Sequence, residues 1–345
     1  RDKMRMRIAV YHGNFESDAG GGEVAALRAV KALKELGYEV DLYSTKVRTD
    51  VLQQACANAG ICLAPKLIDV SDGINELFEI LLEKHLLSSI WTINNYRKLS
   101  TSLASKMGRL SAEYDITFAM QSPVISYGMD ILPGDVMFFH FPTTLIGLVL
   151  LSMHIPDTAM PFVKLYKKLV ASMEFRAFLE NLCQKVNVYK LAVNSTWTKE
   201  GFIKLNLPLI RGALEPCRYK LSKLLAHIKI LYEPIEYETY ATRYNPSNKK
   251  NLVLTVSRYT PGKNLWSIIY VAAKITDAHF IVAGTTRAHR SAEVIGQLES
   301  LIDRLGLKNV TLERDVPKGK LVELYEEAKV YLHPLYAEHF GICLL

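Results

Sequence analysis

Glu338-His339-Phe340-Gly341-Ile342 sets a carboxylate beside backbone amides at an expected helix start. Sugar hydroxyls donate to a carboxylate and phosphate oxygens accept from amides, so the group suits a sugar phosphate. It reads equally as an acid stabilised by a helix N-terminus. Arg258 and Lys263 flank Pro261-Gly262, a spacing that can clamp a diphosphate or simply form a solvated loop with two cations. Gly20-Gly21-Gly22 precedes Glu23, where backbone N–H groups and a helix dipole can approach an anion. The spacing is neither G-x-G-x-x-G nor Walker A, and three glycines are more often a flexible turn. Gly284 closes a strand, where it admits a ligand or marks a plain turn. His140, in Phe138-Phe139-His140-Phe141-Pro142, ends an apolar run. A lone His there is usually a core residue, although a strand end also suits a ligand contact. His333 has the same ambiguity with less support. No H-E-x-x-H, G-x-S-x-G or metal-ligand spacing occurs in the sequence.

The elements that must position these residues follow from periodicity. Residues 7–11 form an apolar run of strand type, and 16–22 a loop of small residues. From Glu23, Val24, Leu27, Val30, Leu33 and Leu36 keep a helical period, and Gly37 suits the helix end. Alternation over 38–43 completes a right-handed βαβ unit. The middle predicts helices over 77–107 and 161–183 and strands over 115–120, 135–141 and 189–194, with Ser195 or Thr196 as an N-cap. Residues 237–251 are polar and aperiodic and read as a linker. Beyond them strands (252–257, 279–284, 309–312, 330–333) alternate with helices (265–275, 292–305, 320–328), which predicts a parallel sheet covered on both faces.

Composition bounds the rest. The chain has 345 residues, 49% apolar and 22% charged, with a net charge of +7. That excludes disorder, collagen and coiled coil and supplies two cores. Five cysteines without a C-x2-C pair exclude a disulfide framework and predict free thiols in a reducing compartment. The stretch 136–155 is interrupted by His140, Pro142 and His154, so no transmembrane span is expected. Lys164, Lys167, Lys168 and Arg176 form a basic helix face, either solvated or directed at a membrane surface.

Taken in order, Gly20-Gly-Gly-Glu23, Val256-Ser-Arg258, Lys263-Asn264, Val282-Ala-Gly284 and Glu338-His-Phe-Gly-Ile342 resemble the retaining glycosyltransferases of family 4. Phe139-His-Phe-Pro-Thr143 and Asn194-Ser-Thr-Trp-Thr198 resemble more narrowly the α-1,2-mannosyltransferases that extend lipid-linked oligosaccharide in the asparagine-glycosylation pathway. The resemblance implies an α/β GT-B fold, two Rossmann-like domains facing a cleft. Residues 1–236 would bind the acceptor and 252–345 a nucleotide-sugar. Arg258 and Lys263 would hold the diphosphate, approached by Gly21 and Gly22. Glu338 would contact the donor sugar with Phe340 and Gly341, and Gly284 would line the donor site. His140 would sit near the reacting carbon. The implied donor is GDP-mannose, with no metal or further cofactor, no nucleic-acid partner and a lipid-linked saccharide acceptor. The implied location is cytoplasmic, peripheral on the cytosolic face of a membrane, the endoplasmic reticulum for the narrower group. The family's second Glu falls at position 346, so the second domain is expected to continue beyond Leu345. The rival readings are a GT-B epimerase or phosphorylase, and a non-catalytic nucleotide-sugar-binding subunit.

Overall fold

A computed structural model describes residues 6–12, 14–15, 21–44, 46–67, 112–120, 136–140, 190–211, 215, 217–235, 245–288, 290–335, 340–341 and 343. The expected helices over 77–107 and 161–183 lie outside these residues, as do Glu338 and the basic face from Lys164 to Arg176. The chain divides into two compact units, Arg1–Pro234 and Ile235–Leu345.

The first unit is built on a seven-stranded sheet. Its strands are β1 (Arg7–Tyr11), β3 (Glu39–Ser44), β5 (Lys66–Leu67), β6 (Ile116–Met120), β7 (Val136–Phe139), β8 (Lys190–Val193) and β9 (Lys229–Ile230). They run in the order β5-β3-β1-β6-β7-β8-β9, and every pairing is parallel. A further short pair joins β2 (Asn14–Phe15) to β4 (Lys46–Val47). Strands buried on both faces need nearly continuous apolar sequence, which β1, β7 and β8 have. Helix α1 (Gly21–Glu35) buries Val24, Leu27 and Val30 against the sheet and against α2 (Thr49–Ala59).

α1 starts at Gly21, two residues earlier than the sequence reading placed it. The first-turn N–H groups of a helix have no intrahelical partner, so glycine there forfeits little. Helix α2 was not anticipated, although Val51, Ala55 and Ala59 recur every four residues and are its buried positions. Ser195 is the N-cap of α3 (Thr196–Arg211): its hydroxyl accepts from the Thr198 amide at 3.0 Å. Helix α4 (Cys217–Ala226) and β9 follow; neither stood out in the sequence.

The second unit alternates β10 (Lys250–Val256), α5 (Trp266–Ala272), β11 (His279–Gly284), α6 (Ser291–Arg304), β12 (Val310–Arg314), α7 (Lys318–Glu327) and β13 (Ala328–Tyr331). All pairs are parallel, in the order β12-β11-β10-β13. One core cluster lies under α5 and α6, around Ile269, Phe280 and Leu298. A second lies on the other face under α7, around Leu254 and Leu324. This is the doubly covered parallel sheet that the alternation predicted. β13 spans 328–331 rather than 330–333, because its register with β10 (Leu254 opposite Tyr331) fixes where pairing ends. β10 begins at Lys250, inside the stretch read as linker.

Candidate functional site

In the second unit the chain adds β11 and β12 on one side of β10 and then crosses to add β13 on the other. Loops leaving the carboxyl ends of β10 and β13 therefore diverge and open a crevice, the place where doubly wound sheets take ligands. The β10 loop carries Arg258 and Lys263, and Phe340-Gly341 follows β13 in sequence. The two loops are joined: Asn264 Nδ2 donates to the Pro334 carbonyl at 3.1 Å. Deeper in, Thr255 Oγ1 donates to the Leu332 carbonyl at 2.5 Å, and the Leu332 amide donates to the Leu254 carbonyl.

The β10 loop is fixed by a residue the sequence reading passed over. Arg258 is exposed and Lys263 half-buried, but Tyr259 is fully buried. Its hydroxyl donates to the Val282 and Glu313 carbonyls at 2.6 and 2.9 Å. Burial pushes the Tyr259 phenol well above its ordinary value, so it stays a neutral donor. Lys263 ends a 3-10 turn (Pro261–Lys263), and Asn264 follows in the left-handed region at φ 52. The Asn264 carbonyl then accepts from the Ser267 amide and hydroxyl, which starts α5.

Gly284 has a structural reason for being glycine. A Cβ there would stand 1.9 Å from the Ser257 carbonyl oxygen and 3.1 Å from the Tyr259 ring. The exits of β10 and β11 thus touch through it. Beyond it, Asp315 accepts from the Thr285 hydroxyl (3.0 Å) and from the Thr286 amide (3.0 Å) and hydroxyl (2.5 Å). Partial burial raises the Asp315 carboxyl, but bonds from Thr286 and Thr285, with the Arg287 charge, outweigh it and hold it below the usual carboxylate range.

Gly341 is buried at φ 72, a left-handed backbone that favours glycine. The Cys343 carbonyl accepts from the Tyr325 hydroxyl at 2.8 Å, tying this segment to α7. Stacking of Tyr331 on Tyr325 and His333 lines the same corner.

In the first unit His140 stands one residue past β7, Asn194 one past β8 and Glu233 three past β9. These strands are neighbours, so their carboxyl ends bring the three side chains together. His140 Nδ1 lies 2.7 Å from Glu233 Oε1; the side chains are 14% and 5% exposed. Asn194 Nδ2 donates to Glu233 Oε1 at 3.0 Å and to the His140 carbonyl at 2.7 Å. Thr198 donates to Asn194 Oδ1 at 2.7 Å. His140 is thus neither a plain core residue nor a solvated one. Glu233 was missed; its signal was a lone acid after the apolar run Ile230-Leu231-Tyr232 and before Pro234. Gly21 and Gly22 form the first turn of α1, where a Cβ on Gly22 would meet the His12 ring at 3.6 Å, an ordinary contact.

Solved structures resemble the chain over nearly its full length. HepE of Anabaena, crystallised with UDP and glucose, matches 98% of this chain and 76% of its own at 14% identity and TM-score 0.57. Sucrose-phosphate synthase of Thermosynechococcus elongatus matches 98% and 78% at 15% identity and TM-score 0.57. A glycosyltransferase of Rickettsia africae matches 95% and 72% at 11% identity and TM-score 0.54. With the two parallel sheets, these likenesses give the chain the GT-B fold. Residues 237–345 match the family model of Glycosyl transferases group 1, so the second unit carries a glycosyltransferase group 1 domain. Over 128 residues the chain is 23% identical to the GDP-Man:Man(3)GlcNAc(2)-PP-Dol alpha-1,2-mannosyltransferase of Dictyostelium discoideum. That match takes in 33% of this chain and spans 25% of the relative's length. Among the described residues no helix is long and apolar enough to cross a membrane.

Proposed function

We propose that this chain is a retaining family 4 glycosyltransferase that moves mannose from GDP-mannose to a lipid-linked saccharide at a membrane surface. The observation that carries the nucleotide-sugar half is the switch point between β10 and β13, whose β10 loop carries Arg258 and Lys263 and is bonded through Asn264 to the β13 loop. The mannose and the lipid-linked acceptor are supported by the distant Dictyostelium relative. Arg258 and Lys263 hold the diphosphate. Glu338, with the amides of Phe340 and Gly341, receives the sugar. Gly284 keeps the donor loop in place, and His140, in the first unit, serves the transfer.

The chemistry follows from charge. The acceptor hydroxyl forms a bond to the anomeric carbon as the bond from that carbon to the phosphate oxygen breaks. Its proton goes to the departing phosphate. Attack and departure on one face give retention. Cations and fixed amides lower the barrier by stabilising charge that develops on the diphosphate. A charge-assisted hydrogen bond contributes about 1.5–3 kcal/mol.

The test is a thermal-shift and turnover panel with GDP-mannose, UDP-glucose and UDP-N-acetylglucosamine, on wild type and Lys263→Ala. GDP-mannose should raise the melting temperature most. Lys263→Ala should lower turnover by roughly 10- to 100-fold and weaken GDP binding while the fold survives. Unchanged GDP affinity in calorimetry would sink the clamp, and a preference for UDP donors would replace mannose.

A further inference from the structure

We infer that Glu233 is a positioning residue that fixes the tautomer and orientation of the His140 ring, with Asn194 and Thr198 as its supports. What the ring then does for the donor sugar rests on the proposed glycosyl transfer. The inference itself rests on the arrangement at the ends of β7, β8 and β9.

Glu233 is a carboxylate almost removed from water, at 5% side-chain exposure. Burying such a group is costly unless it is hydrogen-bonded, and an amide or apolar residue would close a strand end at less cost. Its oxygen Oε1 receives two contacts, from His140 Nδ1 at 2.7 Å and Asn194 Nδ2 at 3.0 Å. An ionised carboxylate only accepts, so Nδ1 must carry the proton. The hydrogen bond made by one ring nitrogen sets the state of the other. With Nδ1 committed to Glu233, any chemistry of the ring on a ligand runs through Nε2.

The rest of the network removes the freedom of this pair. Asn194 also donates to the His140 backbone carbonyl, and Thr198 in turn donates to Asn194 Oδ1. The Ser195 hydroxyl donates to Thr198 Oγ1 at 3.0 Å, so the chain of bonds ends in the capped first turn of α3. The edge of the Phe138 ring meets the His140 ring at 5.0 Å between centroids. On the other side Arg28, buried in α1, reaches the Pro234 carbonyl at 3.5 Å, next to Glu233. A core histidine needs one acceptor. Here a buried acid holds the imidazole, an amide holds both the acid and the histidine's backbone carbonyl, and a hydroxyl holds the amide, a relay of the kind found where ring orientation serves chemistry.

The experiment pairs spectroscopy with kinetics on the full chain. Nitrogen-15 spectra of labelled histidine, with His140 assigned by loss of its signal in His140→Gln, should show the Nδ1–H tautomer in the wild type. Glu233→Leu should lose that preference and lower kcat at least about tenfold, with donor KM changed less than about threefold. Glu233→Gln, whose amide oxygen accepts from Nδ1–H, should recover the tautomer and most of kcat. A wild type with His140 chiefly as the Nε2–H tautomer overturns the inference even if Glu233→Leu fails to fold. So does a folded Glu233→Leu with unchanged tautomer or unchanged kcat. The spectrum needs no donor. A wild type inactive with every nucleotide-sugar would remove the transfer reading, and the spectrum would still decide the pair.

Discussion

Two side chains at the carboxyl edge of the second unit do not face ligand chemistry, yet they decide how the cations are held. Tyr259, next to Arg258 in the chain, anchors their loop to the Val282 and Glu313 carbonyls, and Asp315 gathers the Thr285-Thr286 turn. Asp315 is held ionised by these bonds, so its folded value lies below the unfolded one. Its stabilising effect is full above the ordinary carboxylate range and fades as pH falls through it, below about pH 4. Asp315→Asn should therefore lower the urea midpoint at pH 7, and the gap to wild type should narrow as pH falls below about 4. A gap that stays constant over that range would mean the effect is not one of charge. The sequence showed Arg258 and Lys263 because cations beside Pro-Gly stand out in a chain. It hid Tyr259, since a tyrosine's role depends on which carbonyls its hydroxyl reaches across the sheet. Glu233 was hidden for the same reason, its partners being 93 and 39 positions away.

At the scale of elements, the alternation of strand and helix after residue 250 was legible because each parallel strand is a short apolar run between amphipathic helices. Gly37 and Gly306 close α1 and α6 where the pattern put them. What escaped, besides the helices α2 and α4, were short elements such as β5 and β9 of two residues each, whose identity comes from the neighbour they pair with. Asn264 shows how one residue joins elements. It takes the left-handed turn into α5 and bridges to the β13 loop. Asparagine tolerates that backbone, whereas alanine there costs about 1–2 kcal/mol. Losing the bridge costs about 1 kcal/mol more. Asn264→Gly should then lose roughly 1 kcal/mol and Asn264→Ala about 2–3 kcal/mol by urea denaturation. Equal losses would show that backbone conformation is not the issue.

At the scale of the molecule, each unit has its own parallel sheet and its own core. The class was readable, since only helix-covered parallel sheets bury strands so apolar on both faces. Strand order was not, because no local signal says on which side of β10 the chain will return. That order places the crevice, and it makes a prediction about where a nucleotide acts. GDP should slow amide hydrogen exchange at 257–264 and 332–335 and leave the outer strand β12 unchanged. Protection spread evenly over the second unit would point to global stabilisation instead of binding at the crevice.

The return of β13 to the far side of β10 also dictates a timetable. On the ribosome, β10, β11 and β12 can join in the order they emerge. The other edge of β10 waits until Ala328 arrives to lie opposite Lys250. Closing so long a stretch of chain sacrifices entropy before any contact forms, so this is the slow step of the unit. Until then β10 offers a bare row of amides and carbonyls to any passing strand. The corner between β10 and β13 therefore forms only after β10, β11 and β12 have been made. A nascent chain halted before residue 328 would keep that edge of β10 unpaired and prone to pair with another chain.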